Sequence, residues 1–424
     1  MFSVYNIELS VIVVKVNCNY SFNSAIFTIF ALSEISIKMT DHLQQEFYKL
    51  YNSRAEKTYF SPGRVNLIGE HIDYNGGLVM PCAITLGTWL LVKPNSDGLF
   101  RFRSLNFDDK ADILIQTAYQ KNSEEWFNYP IGVIDQFVKK GKKLQGLDML
   151  FYGNIPIGSG LSSSASIEIV TAFALNDLFN CGFSKLEMVK LSKSVENDFI
   201  GVNSGIMDQF AVAFGEKNKA LVLNCNTLDY QAVSTNPGEY ILAVINTNKL
   251  RKLSESKYNK RVHECEVALT ALKQELDIAY LCDIDAATYE QYRYLITDEV
   301  IDKRARHVIE ENDRVKLAAK ALADNDILEF GRLMYASHYS LQNLYEVSGK
   351  ELNAVVEYSK TDPNVAGARM TGAGFGGCAI AFVKANHFED FSNNLTNYYT
   401  NKIGYPPSVY STLIGDGVRL VSGE

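Results

Sequence analysis

The run from Leu147 to Phe179, LDMLFYGNIPIGSGLSSSASIEIVTAFALNDLF, passes from an apolar strand through glycines and serines into an apolar helix. The run therefore reads as strand, glycine-serine loop and helix. Its loop, Gly153 to Ser166, holds three glycines and five serines. Glycine lets a backbone come close to a ligand, and the free amides at the start of the following helix attract an anion. Two readings stay open here, a phosphate cradle and a flexible strand-helix turn. The loop is not Walker A, because Ser159 follows Gly158 where lysine is needed, and it lacks the third glycine of a dinucleotide fingerprint.

Three further segments carry chemistry. GRVNLIGEHIDYNGG, Gly63 to Gly77, packs Arg64, Glu70, His71 and Asp73 into a turn-rich stretch with little room for core. SVENDFIGVNSGIMDQFA offers Glu196, Asp198 and Asp208, with Gly201 and Gly205 ahead of Asp208. An aspartate near a helix start is commonly a cap or a dipole partner. The alternative is catalysis with Arg64 as partner, since phosphoryl transfer needs a carboxylate near the acceptor hydroxyl and a cation near the transferred charge. GAGFGG, Gly372 to Gly377, contains G-x-G-x-x-G, but an apolar strand CAIAFV follows it where a dinucleotide loop opens a helix. It reads as a second backbone-lined wall of a cleft or as a tight structural turn.

At 424 residues, two domains with a cleft between them are expected. The net charge of −8 disfavours nucleic acid or an anionic membrane as partner. Seven scattered cysteines without C-x-x-C suggest neither a disulfide framework nor a zinc site, which points to the cytoplasm. The first 38 residues are apolar but broken at Lys15, Asn17 and Asn19, and no basic region precedes them as a signal peptide requires. They are expected to be a non-native or disordered extension before Met39. Periodicity places a helix over 42–52 and strands over 58–67 and 78–94. Further helices fall at 185–197 and 205–214, and strands at 220–224 and 240–245. Beyond 250 the chain turns helical, at 256–276, 303–324 and 326–345, with a helix at 386–399 and a last strand at 408–413. The division is drawn as 39–225 and 226–424.

In this order, the motifs resemble those of the GHMP small-molecule kinases, and GRVNLIGEHIDYNGG is similar to the signature of the galactokinase group within them. PIGSGLSSSAS is similar to the ATP motif of that family, ARMTGAGFGGCAIAFV to its third motif, and GIMDQF and SKYNKRVHECE also match. The likeness covers 39–424. Ile72 and Ser204 stand where many relatives have Thr and Cys.

The resemblance implies an α/β (α+β) two-lobed fold with the active site between the lobes. It also implies transfer of phosphate from ATP to the C1 hydroxyl of galactose. Asp208 and Arg64 then correspond to catalytic residues, and Glu70, His71, Asp73, Gly205 and Tyr258 to sugar-binding ones. Gly158, Ser159, Gly160, Leu161, Ser162, Ser163 and Ser164 correspond to the nucleotide loop. Trp126 is either the aromatic of the adenine pocket or simple core packing. The implied cofactor is Mg²⁺ on Ser164 and Glu196, and the partners are galactose and ATP, for a cytoplasmic monomer. Two alternatives are a kinase for another sugar such as N-acetylgalactosamine and a non-catalytic galactose and ATP sensor.

Overall fold

The computed structural model describes residues 39–423 except 123, 157, 203–204 and 250–253, so the expectations for the first 38 residues and for Ser204 lie outside the described residues. The chain begins with helix α1 (39–51). Then come β1 (Lys57–Asn66), β2 (Leu78–Val79), β3 (Pro81–Pro94), β4 (Leu99–Ser104), β5 (Ala111–Leu114), α2 (Asn128–Lys139) and β6 (Leu147–Gly153). Helices α3 (Ser163–Leu178), α4 (Lys185–Ser194) and α5 (Met207–Phe214) follow, the last two separated by a π-helical turn, Val195–Ile200. After β7 (Lys219–Asn224), β8 (Tyr230–Ser234) and β9 (Tyr240–Asn246) come five helices: α6 (Ser254–Leu272), α7 (Ala286–Tyr292), α8 (Glu299–Ala323), α9 (Ile327–Asn343) and α10 (Lys350–Thr361). The hairpin β10 (Val365–Thr371) and β11 (Cys378–Lys384), helix α11 (Phe388–Ile403), β12 (Ser408–Thr412) and β13 (Arg419–Ser422) close the chain.

Three sheets result, in the orders β13-β1-β3-β6-β4-β5, β10-β11-β9-β12 and β2-β7-β8. Strand β3 lies between β1 and β6. Its nearly continuous apolar run fits that central place, covered on both faces. Helix α3 packs on β1 and β3 and against α2, α4 and α5, which accounts for its apolar character on most faces. The glycine-serine loop therefore joins the sheet to a helix buried on most faces.

Helices α7 and α10 and strands β8 and β13 were not expected from the sequence, and two further differences have local reasons. Helix α2 escaped notice because Pro130 and Gly132 interrupt its pattern; the proline lies in the first turn, where its missing N–H costs nothing. The helix expected over 185–197 ends at Ser194 and continues as the π turn. There Gly132 on α2 makes room, since a Cβ on it would come within 2.6 Å of Val195.

The largest apolar core mixes Val65, Leu67 and Met80 with Val244, Ala305, Val308 and Ile380, so segments far apart in sequence share one interior. Strand β13, from the end of the chain, pairs with β1. Among the described residues no helix is long and apolar enough to cross a membrane.

Candidate active site

Two cavities flank the start of α3. A polar one of about 400 Å³ is lined by Arg64, Asn66, Gly69, Glu70, His71, Asp73, Gly201, Val202, Gly205, Met207, Asp208, Tyr258, Asn259, Gly372 and Ala373. A smaller, mostly apolar one of about 170 Å³ is walled by Phe107, Trp126, Tyr129 and Phe151 and ends on Ser163 and Ser164. The serines at the helix start thus separate a polar chamber from an aromatic slot.

Arg64 ties three motifs together from the end of β1. Its Nε and Nη2 donate to the two carboxylate oxygens of Asp208, at 2.7 and 2.6 Å, while Nη1 donates to the Gly160 carbonyl at 2.8 Å. A planar guanidinium suits this two-pronged grip. Ser162 adds a third donor, its hydroxyl bonding Asp208 Oδ2. Ser162 takes a left-handed backbone (φ 63°) at the entry to α3, and no helix amide is capped by its side chain. Sequence reading put Ser162 with the nucleotide loop and missed this carboxylate contact. Gly63 permits the approach of that loop, because a Cβ there would lie 2.7 Å from the Leu161 carbonyl oxygen.

Glu70 ties the first motif to the third. It accepts from Asn66 Nδ2 (2.6 Å) and Arg369 Nη1 (2.8 Å) on one oxygen, and from the Gly372 amide (2.7 Å) and Thr371 Oγ1 (3.2 Å) on the other. Burial pushes its carboxyl up and the Arg369 charge pulls it back. Arg369 escaped sequence reading although it directly precedes the glycine-rich turn; a buried arginine needs an acid, and Glu70 is that acid.

His71 has a left-handed backbone (φ 64°) and bonds through both ring nitrogens, Nε2 to the Ala373 carbonyl at 3.1 Å and Nδ1 to the Tyr74 hydroxyl at 2.9 Å. Burial pushes its pKa down to about 4. Asp73 keeps some surface toward the cavity, yet burial pushes its pKa up to about 6, with its own amide and that of Tyr74 opposing and the Asp208 charge adding to the rise. Gly205 leaves room beside it, since a Cβ there would be 2.9 Å from Asp73 Oδ2. Tyr258, near the start of α6, has its ring 5.4 Å from that of His71, and burial raises its hydroxyl. The first five polar positions expected for a sugar therefore meet in one chamber.

In the serine loop, Gly158 (φ 71°) and Gly160 (φ 75°) adopt backbones that favour glycine, and both are exposed. Leu161 instead buries its side chain in the core and presents its carbonyl to the Arg64 amide at 3.2 Å. Ser159 is buried, its hydroxyl unpartnered and its carbonyl accepting from Cys378 Sγ at 3.0 Å. Trp126 stacks on Phe107 (centroids 6.3 Å, 18°) and donates from Nε1 to the Asp109 carbonyl at 2.9 Å. Phe107, Tyr129 and Phe151 gave no signal in sequence because each looks like ordinary core.

Ser164 donates to Glu196 Oε1 at 2.6 Å, Glu196 being supplied by the π turn. Among the described residues no three His, Cys, Asp or Glu side chains group to hold a metal. One hydroxyl and one carboxylate beside the serine loop nonetheless fit a magnesium ion, which usually takes one or two protein oxygens and fills its octahedron with phosphate and water.

Comparison with known proteins follows this geometry. The galactokinase galactose-binding signature matches residues 45–94, the GHMP kinases N terminal domain matches 128–216, and the GHMP kinases C terminal family matches 318–401. The galactokinase of Clostridium tetani is 48% identical over 378 residues, covering 89% of this chain and 96% of its own. The chain belongs to the galactokinase family of GHMP kinases. Another member, the galactokinase of Enterococcus faecalis, is 47% identical over 90% of this chain and 99% of its own. Among solved structures, Lactococcus lactis galactokinase complexed with galactose superimposes with a TM-score of 0.85 at 43% identity, covering 89% of this chain and 99% of that one. Methanococcus jannaschii mevalonate kinase, at 20% identity and a TM-score of 0.63 over 85% of this chain and 99% of its own, shares the fold. The GHMP kinase fold expected from the motifs, with mixed helices and sheets, is the fold observed.

Proposed function

We propose that this chain transfers the γ-phosphoryl group of ATP to the C1 hydroxyl of galactose, releasing ADP and galactose 1-phosphate. The observation that carries the reading is the two-pronged Arg64–Asp208 pair at the junction of the polar chamber and the serine loop. Galactose lies in the chamber against Glu70, His71, Asp73, Gly205 and Tyr258. Adenine occupies the aromatic slot beside Trp126, and the phosphates rest on Gly158 to Ser164, where the open start of α3 favours negative charge. Ser164 and Glu196 would hold Mg²⁺, which when bound would neutralise phosphate charge. Asp208 orients the C1 hydroxyl and takes its proton, while Arg64 holds Asp208 in place and offsets charge on the transferred group. The 39–225 unit supplies the sugar signature and serine loop, the 226–424 unit supplies Tyr258 and the third motif, and the protein works as a cytoplasmic monomer.

An ADP-release assay over galactose, glucose and N-acetylgalactosamine tests the substrate. Galactose should lead glucose in kcat/KM by at least ten- to a hundredfold, because one mispaired buried hydroxyl contact costs about 1–3 kcal/mol. Equal values would reject the sugar assignment. Asp208→Asn should lower kcat by about 10²–10⁴-fold with a much smaller change in galactose affinity. Arg64→Met added to it should cost little more, since two residues acting as one unit lose function non-additively. A kcat within about threefold of the parent for Asp208→Asn would reduce Asp208 to a structural role.

A further inference from the structure

Behind His71 a line of hydrogen bonds runs away from the sugar chamber: Tyr74 hydroxyl to Tyr345 hydroxyl at 2.8 Å, then Tyr345 hydroxyl to Cys265 Sγ at 3.1 Å. Tyr345 and Cys265 are buried to 0% and 2% exposure, so no bulk water completes these bonds. Donor and acceptor roles can be assigned from one end. The Ala373 carbonyl can only accept, so His71 Nε2 carries the proton and Nδ1 is the acceptor. Tyr74 must then donate to Nδ1, which uses its single proton. Its oxygen accepts from Tyr345, and the oxygen of Tyr345 accepts from the Cys265 thiol. A protonated imidazole would turn the line around, and the burial that pushes His71 down to about 4 disfavours it.

From this geometry we propose that Tyr74 and Tyr345 are positioning residues that hold His71 in its Nε2–H form, with that proton directed at the Ala373 carbonyl on the wall of the sugar chamber. A sugar hydroxyl reaching His71 there accepts only by sharing that proton with the Ala373 carbonyl or displacing it. The far end of the line is itself anchored. Arg261 Nε donates to the Tyr345 carbonyl at 2.6 Å, and Arg304 Nη1 donates to the Leu344 carbonyl, so the backbone that carries Tyr345 is gripped by two arginines from α6 and α8. Arg261 and Cys265 follow Tyr258 on α6 at spacings that share one helix face. The helix that brings Tyr258 to the chamber is thus docked through the same tyrosine that orients His71. Tyr74, Arg261 and Cys265 lie within motifs picked out from the sequence, whereas Tyr345 and Arg304 carry no such mark.

The proposal rests on the galactose reading for its ligand, but its first test does not. Histidine ¹⁵N labelling of the full chain, with a long-range proton-nitrogen correlation and His71→Gln to identify the resonances, reads the tautomer directly. The expected pattern is a protonated Nε2 and a bare Nδ1 for His71; a protonated Nδ1 overturns the proposal. Calorimetry then follows galactose. Tyr74→Phe removes the donor to Nδ1 and should weaken galactose binding roughly tenfold, the consequence of an unpaired buried polar group, with ATP affinity unchanged. Tyr345→Phe removes only the second link and should weaken it severalfold, which keeps the idea testable should Tyr74→Phe not fold. Galactose affinities within twofold of the parent in the folded variants also overturn it. A parent that gives no heat with galactose would count against that sugar, while the nitrogen shifts would still decide the tautomer.

Discussion

Asp73 shows how one buried carboxyl couples pH to function. It faces a polar chamber yet sits deep enough for burial to hold its pKa near 6, above the ordinary value of 3.8. A carboxyl raised in this way favours folding when protonated, so its contribution is fully present below about pH 4 and is lost as pH rises through 6. Above pH 6 the carboxylate is charged at the expense of stability, in the form that would accept hydrogen bonds from the proposed sugar. Asp73→Asn should therefore melt higher than the parent at pH 7.5, by on the order of 1–3 kcal/mol, with the gap closing toward pH 4. Galactose KM in the parent should rise as pH falls below 6, and this rise should be absent in the variant. Parallel melting curves across pH 4 to 7.5 would show that Asp73 is not the group responsible.

At the scale of elements, the contact of α9 with β10 depends on two glycines. A Cβ at Gly331 would lie 1.9 Å from the Ala366 carbonyl oxygen, and one at Gly367 would lie 2.3 Å from the Gly331 Cα. Backbone therefore meets backbone, and no side-chain rotation can relieve a substitution. This contact sets the position of β10, whose last residues, Arg369 to Thr371, hold Glu70. Gly331→Ala should destabilise the chain by about 1–3 kcal/mol or more, read as a lower denaturant midpoint with an unchanged slope. A midpoint equal to that of the parent would mean that α9 can shift outward without loss of packing.

Across the whole molecule, the first and last of the described strands, β1 and β13, pair in one sheet. Beside β13, Val418 is buried in a core with Ile169, Phe210 and Leu221, and the Arg419 guanidinium lies 4.5 Å from the centre of the Phe60 ring. The main core likewise draws on residues from Val65 to Ile414. Calorimetry should show a single transition, because the main core joins residues of the 39–225 and 226–424 stretches, even though a second core, from Tyr59 to Val195, lies wholly within the first. Deleting residues 418–424 should lower the melting temperature while leaving one transition; two separate transitions in the parent would show that the halves fold independently.

The main strands and helices, the serine loop and the polar side chains of the first motif were legible in the sequence, because periodicity and turn chemistry are local properties. So were Arg64, Glu70, His71, Asp73 and Asp208 as candidates, since charged groups among glycines have no place in a core. What the sequence left open was their pairing. Whether Asp208 caps a helix or grips Arg64 depends on β1 passing beside α5, a contact made across 144 positions of chain. Only the folded chain sets Arg369 on Glu70, Ser162 on Asp208 and the Tyr74–Tyr345–Cys265 line behind His71. The polarity of each such bond is decided by what the neighbouring atom can accept or give once water is gone, and that neighbour comes from a distant part of the chain.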